Sequence, residues 1–342
     1  SRLGARAPFK LTVALTDRCD CRCEGCWIWK RPKRAELAKE DVAALLESLP
    51  SVRWLNLTGG EIFLRDDVVE IVEAALAVQP HLAVLDFPTT GQRTAAILRD
   101  AERIGRLGIP RVLVTVSLEG PPEHHDRVRG RAGAFLRAVT TYAGLQALPG
   151  IEVYFGVTLT EANAAQVPSA IEAVNAALPR GARPVGWGDL HFNVFTRSEH
   201  YYDNLDAAPR APDAAHDVIR KARQHRERSA SPTDRIEAAY LRLLPAYLKT
   251  GRSPLPCRAL DASLFVGANG DVYPCTVYGA RLGNVHETPL AEILRSAEAD
   301  AARAVVGADR CPGCWSPCEA NPTIVAHAPG SLLRGVGDVK RR

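Results

Sequence analysis

Residues 15–30 of the chain have the sequence LTDRCDCRCEGCWIWK, a cysteine-rich loop that directly follows the first strand-like run. Cys19, Cys23 and Cys26 have the spacing C-x3-C-x2-C and supply three thiolates, one fewer than full protein ligation of a [4Fe–4S] cube requires. A cube held in this way keeps one iron open for another ligand, as catalytic zinc sites keep an open position. Zinc is the alternative, and it usually requires a fourth ligand. Cys21 can supply one, although it would crowd a metal shared with its neighbours.

The bulk composition is that of a soluble globular protein. The chain has 342 residues, of which 46% are hydrophobic and 24% charged, enough for one large α/β domain and a small one. The net charge of +4 gives no reason to expect nucleic acid, and the basic end Asp338–Arg342 is interpreted as a solvated tail. Neither a membrane-spanning run nor a signal segment is recognisable. We therefore expect a cytoplasmic protein without nucleic-acid or membrane partners.

All nine cysteines fall in two groups, residues 19–26 and 257–318, and the 230 residues between the groups contain none. Disulfide frameworks are typical of small secreted chains and are more evenly scattered. The clustering therefore favours metal binding in a reducing compartment.

Strand-like and helix-like runs alternate six times in the first part of the chain. The predicted strands are Leu11–Leu15, Val52–Leu57, Leu82–Phe87, Arg111–Leu118, Ile151–Leu159 and one within residues 188–195. The predicted helices are Glu36–Leu49, Asp67–Val78, Thr94–Leu107, Gly133–Ala147 and Ala164–Ala177. Such alternation predicts a parallel sheet with right-handed crossovers. Because six units are two short of a closed eight-stranded barrel, the expected α/β fold is a partial, open (β/α)6 barrel.

The pattern changes after the sixth strand. Residues 197–252 are predicted to form a connector with helices at Ala214–Arg226 and Asp234–Lys249. From Ser253 onward, short strands and five cysteines predict a small metal-dependent domain, because that stretch has too little core to fold well without a staple. The predicted boundaries are 8–196 for the barrel, 197–252 for the connector, 253–325 for the metal-binding domain and 326–342 for the tail.

Paired glycines end the second predicted strand, where Gly59 and Gly60 precede Glu61. Glycine lets a ligand approach the backbone closely. An isolated Gly-Gly-Glu tripeptide is typical of a turn. Here it follows the cysteine loop by one βα unit, and loops after parallel strands form the active face. That position favours a binding role.

A second motif closes the fourth predicted strand. Ser117 and Glu119 suit ribose hydroxyls, and Arg129 suits a carboxylate through two parallel hydrogen bonds. The alternative is a surface turn with a solvated arginine. His124 and His125 are interpreted as ordinary surface histidines rather than metal ligands. Two weaker candidates for ligand contact lie at the third and sixth strands: Thr90 and Leu190.

These motifs together resemble the radical S-adenosylmethionine (SAM) enzymes. The resemblance implies that the open iron chelates SAM, and that one electron then splits SAM to a 5′-deoxyadenosyl radical, which abstracts a hydrogen atom from the substrate. It also implies that the Gly-Gly-Glu segment meets the SAM amino group, Ser117 the ribose and Arg129 the carboxylate. The implied electron donor is a flavodoxin or ferredoxin. One position departs from the family, because many members place an aromatic against adenine where this chain has Gly25.

The C-terminal cysteines are similar to those of SPASM and twitch auxiliary domains. Gly270–Cys275 matches the G-x4-C element, and a C-x2-C pair and a C-x3-C spacing follow. A full SPASM domain uses seven cysteines for two cubes, whereas five imply one auxiliary [4Fe–4S] cluster of the shorter twitch type. On spacing alone, the alternative is a structural zinc ribbon. The implied ligands are Cys257, Cys275, Cys311 and Cys314, with Cys318 as a substitute or a spare.

The resemblance fixes the reaction class but leaves the substrate open. Thr276 stands where sulfatase maturases carry a catalytic Asp, which counts against that activity. Because the barrel begins by Leu11, a peptide substrate is expected to need a separate carrier protein or no leader. Oxidation of a small molecule is therefore favoured, with crosslinking or epimerisation of a ribosomally made peptide as the alternative. A metal-stabilised binding or electron-carrier protein is the non-enzyme alternative, but it leaves the Gly-Gly-Glu segment unexplained.

Overall fold

The structure is a computed structural model that describes residues 7–207 and 215–328. Its first six strands pair in parallel, each with its neighbour in the chain, and confirm the predicted partial (β/α)6 barrel. The strands are β1 (Lys10–Thr16), β2 (Trp54–Gly59), β3 (Val84–Thr89), β4 (Arg111–Ser117), β5 (Ile151–Leu159) and β6 (Leu190–Val194).

Six helices follow these strands, and most of them bury one face in an apolar core shared with the sheet. They are α1 (Lys39–Glu47), α2 (Val68–Val78), α3 (Thr94–Gly105), α4 (Pro122–Arg129), α5 (Ala134–Gln146) and α6 (Val167–Ala177). The sequence did not predict α4, because its only buried residue is His125 and it lacks an apolar stripe. Its boundaries are nevertheless typical, with proline in the first turn and left-handed Gly130 after the last (φ 58°).

The C-terminal part extends the same sheet. Strand β7 (Ser263–Val266) pairs in parallel with β1, and β8 (Asp271–Tyr273) and β9 (Gly283–Asn284) continue antiparallel from it. The sheet thus has nine strands in the order β6-β5-β4-β3-β2-β1-β7-β8-β9. The helices of this part are α7 (Ala215–Arg226), α8 (Pro232–Thr250), α9 (Leu290–Ile293), α10 (Ala297–Gly307) and α11 (Pro317–His327). Ala214 and residues 329–342, which include most of the predicted tail, lie outside the described residues.

The barrel encloses a cavity of about 1680 Å³ that runs from the carboxyl ends of the strands to their amino ends. We call these the upper and lower ends. At the upper end the cavity is lined by the cysteine loop, and at the lower end by α8, α11 and the first residues of β1, β2 and β4. Within the two described ranges, no helix has the length and apolar character needed to cross a bilayer.

Candidate active site

The cysteine loop lies at the upper end of the barrel cavity. Cys19, Cys23 and Cys26 line the cavity, whereas Cys21 is buried behind them with 1% of its surface exposed. The loop is tied to the end of α4, since the Arg22 amide donates to the Arg129 carbonyl at 2.9 Å. The three predicted ligands therefore line one cavity, while Cys21 lies behind them.

Burial favours the protonated form of two of these thiols. Burial raises the pKa of Cys19 to about 12 and that of Cys26 to about 11. The pKa of Cys23 is lowered to about 6, chiefly by a hydrogen bond from the Cys21 thiol and then by the charge of Arg129. Since metals bind thiolates, loading this loop with iron must displace protons from Cys19 and Cys26.

The paired glycines allow the end of β2 to press against the cysteine loop. A Cβ atom on Gly59 would lie 2.2 Å from the Thr16 carbonyl oxygen, and one on Gly60 would lie 2.0 Å from that of Arg18. Gly59 also has φ 124°, a backbone conformation that side chains rarely adopt. Both glycines line the cavity, so their small size serves backbone packing as well as ligand access.

Glu61 is fully buried behind the cavity wall. Its Oε2 accepts hydrogen bonds from the Thr89 hydroxyl at 2.9 Å, the Thr90 hydroxyl at 2.7 Å and the Thr90 amide at 2.6 Å. Burial raises the pKa of this carboxyl, while the Thr90 bonds oppose the rise. The Glu61 side chain therefore links the ends of β2 and β3. Thr90, which binds Glu61, also lines the cavity.

Glu119 and Arg129 form a largely buried ion pair beside the cluster loop. Arg129 Nη2 lies 2.8 Å from Glu119 Oε1, and Arg129 Nη1 donates to the Cys23 sulfur at 3.5 Å. Ser117, Glu119 and Arg129 all line the cavity, and the Arg129 side chain is only 13% exposed. The prediction that His125 is a surface residue is wrong. It is fully buried, and its Nδ1 accepts from the Glu119 amide at 3.1 Å.

An aromatic ring from another strand occupies the space beside Gly25. A Cβ on Gly25 would lie 2.5 Å from Cε2 of Phe195, which follows β6 and lines the cavity. Sequence reasoning missed Phe195, because only the fold brings residue 195 to the first loop. Leu190, by contrast, is buried in the core at the start of β6 with 1% exposed, and the cavity is lined instead by residues 191–195.

Four C-terminal cysteines surround a separate small cavity: Cys257, Cys275, Cys311 and Cys314. The backbone amides of Val277 and Tyr278 point at the Cys275 sulfur, at 3.4 and 3.2 Å, as expected around a metal-bound thiolate. Cys318 instead lines the barrel cavity. Among residues 7–207 and 215–328, no three His, Cys, Asp or Glu side chains converge at the distances of a single metal ion.

Two family models match the chain. That of the radical SAM superfamily matches residues 13–167, and that of an iron–sulfur cluster-binding domain, SPASM, matches residues 257–318. This chain belongs to the radical SAM superfamily. It is accordingly an enzyme that uses SAM and a [4Fe–4S] cluster, and its SPASM domain binds auxiliary iron–sulfur. The two groups of thiols described above fit such clusters.

This radical SAM enzyme is similar to two curated proteins of Bacillus subtilis. The antilisterial bacteriocin subtilosin biosynthesis protein AlbA is 25% identical over 330 residues, which cover 90% of this chain and 67% of AlbA. The sporulation killing factor maturation protein SkfB is 28% identical over 173 residues, covering 50% of this chain and 40% of SkfB. Among solved structures, Streptococcus suis SuiB bound to SAM shares the fold, with a TM-score of 0.60 at 14% identity over 88% of this chain and 68% of SuiB.

The separation of Cys318 from the other C-terminal cysteines gives a prediction for iron content. Cys314→Ala is expected to lose about four irons, which is one cube, and to lower the stability of the C-terminal domain that the cube stabilises. Cys318→Ala is the matched control and is expected to keep its iron. Iron and sulfide analysis after anaerobic reconstitution checks both. Loss of iron in the Cys318 variant would show that this thiol is a ligand.

Glu237 of α8 gives a prediction for pH dependence. It is 3% exposed, and burial raises the pKa of its carboxyl from 4.5 to about 7, with Arg226 opposing. The folded protein thus holds a proton that the unfolded chain releases, so this group makes the free energy of unfolding fall as pH rises from about 4.5 to 7, by up to about 3 kcal/mol. Glu237→Gln should remove this contribution. Urea unfolding of the variant and wild type at the two ends of that range measures it, with exposed Glu172→Gln as the control.

Proposed function

We propose that this enzyme modifies a ribosomally made peptide by radical chemistry. The observation that carries the proposal is the similarity to AlbA along 90% of the chain, because the name of that protein assigns it to bacteriocin biosynthesis. SkfB is named for the maturation of a killing factor, and SuiB has been crystallised with its precursor peptide SuiA. These relatives support the peptide alternative better than the small-molecule oxidation that the sequence favoured.

Within this proposal, the barrel of residues 8–196 holds the radical-generating site. Cys19, Cys23 and Cys26 would hold the first cluster, and SAM would be bound by Gly59, Gly60, Thr90, Ser117 and Arg129. Phe195 takes the place of the aromatic that the family often carries at position 25. When bound, the cofactors supply a 5′-deoxyadenosyl radical that removes a hydrogen atom from the substrate. The protein orients the reactants and excludes water.

An auxiliary cluster, when bound, would supply an acceptor for an electron removed from the substrate in a net oxidation. Its proposed ligands are Cys257, Cys275, Cys311 and Cys314, which surround one cavity. The proposed source of reducing electrons for SAM cleavage is a flavodoxin- or ferredoxin-type protein.

Deuterium transfer distinguishes a peptide substrate from a small metabolite. The reconstituted enzyme is incubated with SAM, dithionite and either the peptide fraction or the metabolite fraction of source cells grown in heavy water. We expect deuterium in 5′-deoxyadenosine only from the peptide fraction, and we expect protease treatment of that fraction to remove the signal. Transfer from the metabolite fraction, insensitive to protease, would contradict the proposal. Cys26→Ala is the negative control.

A further inference from the structure

The barrel cavity extends well below the proposed SAM site. Its volume of about 1680 Å³ exceeds the range of roughly 300–1,000 Å³ typical of a site for one small ligand. It also reaches the surface at the lower end, where exposed residues Arg53, His81 and Pro110 belong to its lining. Space for a second ligand therefore lies below SAM, and we call it the lower chamber.

The floor of the lower chamber is built by two helices from outside the six βα units. Glu237 of α8 lines it, as do Cys318 and Asn321, which lie one turn apart on α11. Trp315, two residues before α11, donates a hydrogen bond from its Nε1 to the Tyr240 carbonyl of α8 at 3.2 Å. Side chains on this floor are thus positioned by packed helices rather than by a loop.

Two oxygen atoms on the floor are buried and have no hydrogen-bond partner in the described structure. They are Oε1 of Glu237, whose residue is 97% buried, and Oδ1 of Asn321. Removing a polar group from water without a partner is costly. Asp86, another acid lining the cavity, differs in that its Oδ1 accepts from Asn56 Nδ2.

The arginine whose charge acts most strongly on Glu237 already has other hydrogen-bond partners. Arg226 is the main group opposing the rise in the Glu237 pKa, yet its Nη1 contacts the Asp234 carboxylate and its Nη2 donates to the Leu190 carbonyl at 2.9 Å. The Glu237 Oε1 atom therefore lacks a donor, and its residue belongs to the lining of the cavity.

We propose that the lower chamber is a substrate subsite in which Glu237 and Asn321 accept hydrogen bonds from a nitrogen-bearing group: an ammonium, a guanidinium or a carboxamide. The choice of a peptide as the source rests on the proposed function, and the group is then the side chain of Lys, Arg, Asn or Gln. The subsite itself does not depend on that choice, because it follows from the two acceptors and the cavity.

Alkylation of Cys318 tests the subsite without turnover. The reconstituted enzyme is treated with N-ethylmaleimide, and modification of Cys318 is followed by mass spectrometry in the presence of N-acetyl-lysine, -arginine or -glutamine amide. We expect at least one of these probes to slow alkylation about fourfold at about three times its Kd. N-acetyl-glutamate amide, which presents a carboxylate, should not protect. Butylammonium, which lacks a peptide backbone, separates recognition of the nitrogen group from recognition of an amino acid.

Glu237→Gln, which keeps an acceptor oxygen but removes the negative charge, should weaken protection by the lysine probe while Cys318 of the free enzyme reacts at its usual rate. Exposed Glu172→Gln is the matched control and should keep protection. Equal protection in the Glu237 variant, equal protection by the glutamate probe, absence of protection by every nitrogen probe, or failure of Cys318 to react would each overturn the subsite. Because the assay needs no peptide modification, a positive result beside a failed deuterium transfer from peptides would retain the subsite and reject only the peptide.

Discussion

Replacement of Cys26 by alanine is expected to abolish SAM cleavage and to leave about four of the roughly eight irons that two cubes contain. The remaining thiols of the cavity-lining set, Cys19 and Cys23, cannot hold a stable cube with one iron open for SAM. The four cysteines proposed to hold the auxiliary cluster surround a different cavity, so that cluster should keep its iron. Iron analysis together with detection of 5′-deoxyadenosine under dithionite measures both effects.

Cys21→Ala is the matched control for this experiment. Cys21 belongs to the same loop but is buried behind the cavity wall. We expect its variant to keep both cubes and to cleave SAM, with a modest loss of stability from the lost buried thiol. If Cys21→Ala lost four irons and Cys26→Ala kept them, the proposed ligand set would be wrong.

Arg129→Ala is expected to destabilise the protein by about 3–5 kcal/mol, because it leaves the buried Glu119 carboxylate without its partner. The same change removes the donor to the Cys23 sulfur. The matched control is Arg127→Ala on the same helix. Arg127 is 58% exposed and pairs with Glu24, which is 53% exposed, so that change should cost about 1 kcal/mol or less.

Urea unfolding of the two variants measures this difference. A double variant, Glu119→Gln with Arg129→Met, should recover much of the stability, because it removes the unpaired charge along with its partner. If Arg129→Ala were no more destabilising than Arg127→Ala, the ion pair would not be the main link between α4 and the end of β4.

The sequence predicted the six βα units because each has its own periodic apolar pattern and its own turn. It could not predict that β7 joins β1. That contact pairs Lys10 with Ser263 across more than half of the chain, and a strand of four residues carries no sign of its partner. Helix α4 was missed because it is polar, and its role is to carry Arg129 to the cysteine loop.

The thiol sets were predictable because spacing reports metal ligands directly. The placement of Cys318 was not predictable. The spacing C-x3-C is equally compatible with two ligands of one cluster and with a second cysteine at the start of a helix. Phe195 and Tyr201 were also beyond the sequence. Tyr201 lies in a loop without periodicity, yet its hydroxyl lies 2.6 Å from that of Thr58 at the end of β2. Contacts of this kind depend on the folded barrel.

The central claim is that this chain generates a radical from SAM at a three-cysteine cluster. The most direct test is the formation of 5′-deoxyadenosine by the wild-type protein after anaerobic reconstitution, with iron and sulfide counted in the same sample. The account predicts about eight irons per chain and 5′-deoxyadenosine that depends on dithionite. Zinc in place of iron, or no cleavage of SAM with both cubes intact, would contradict it.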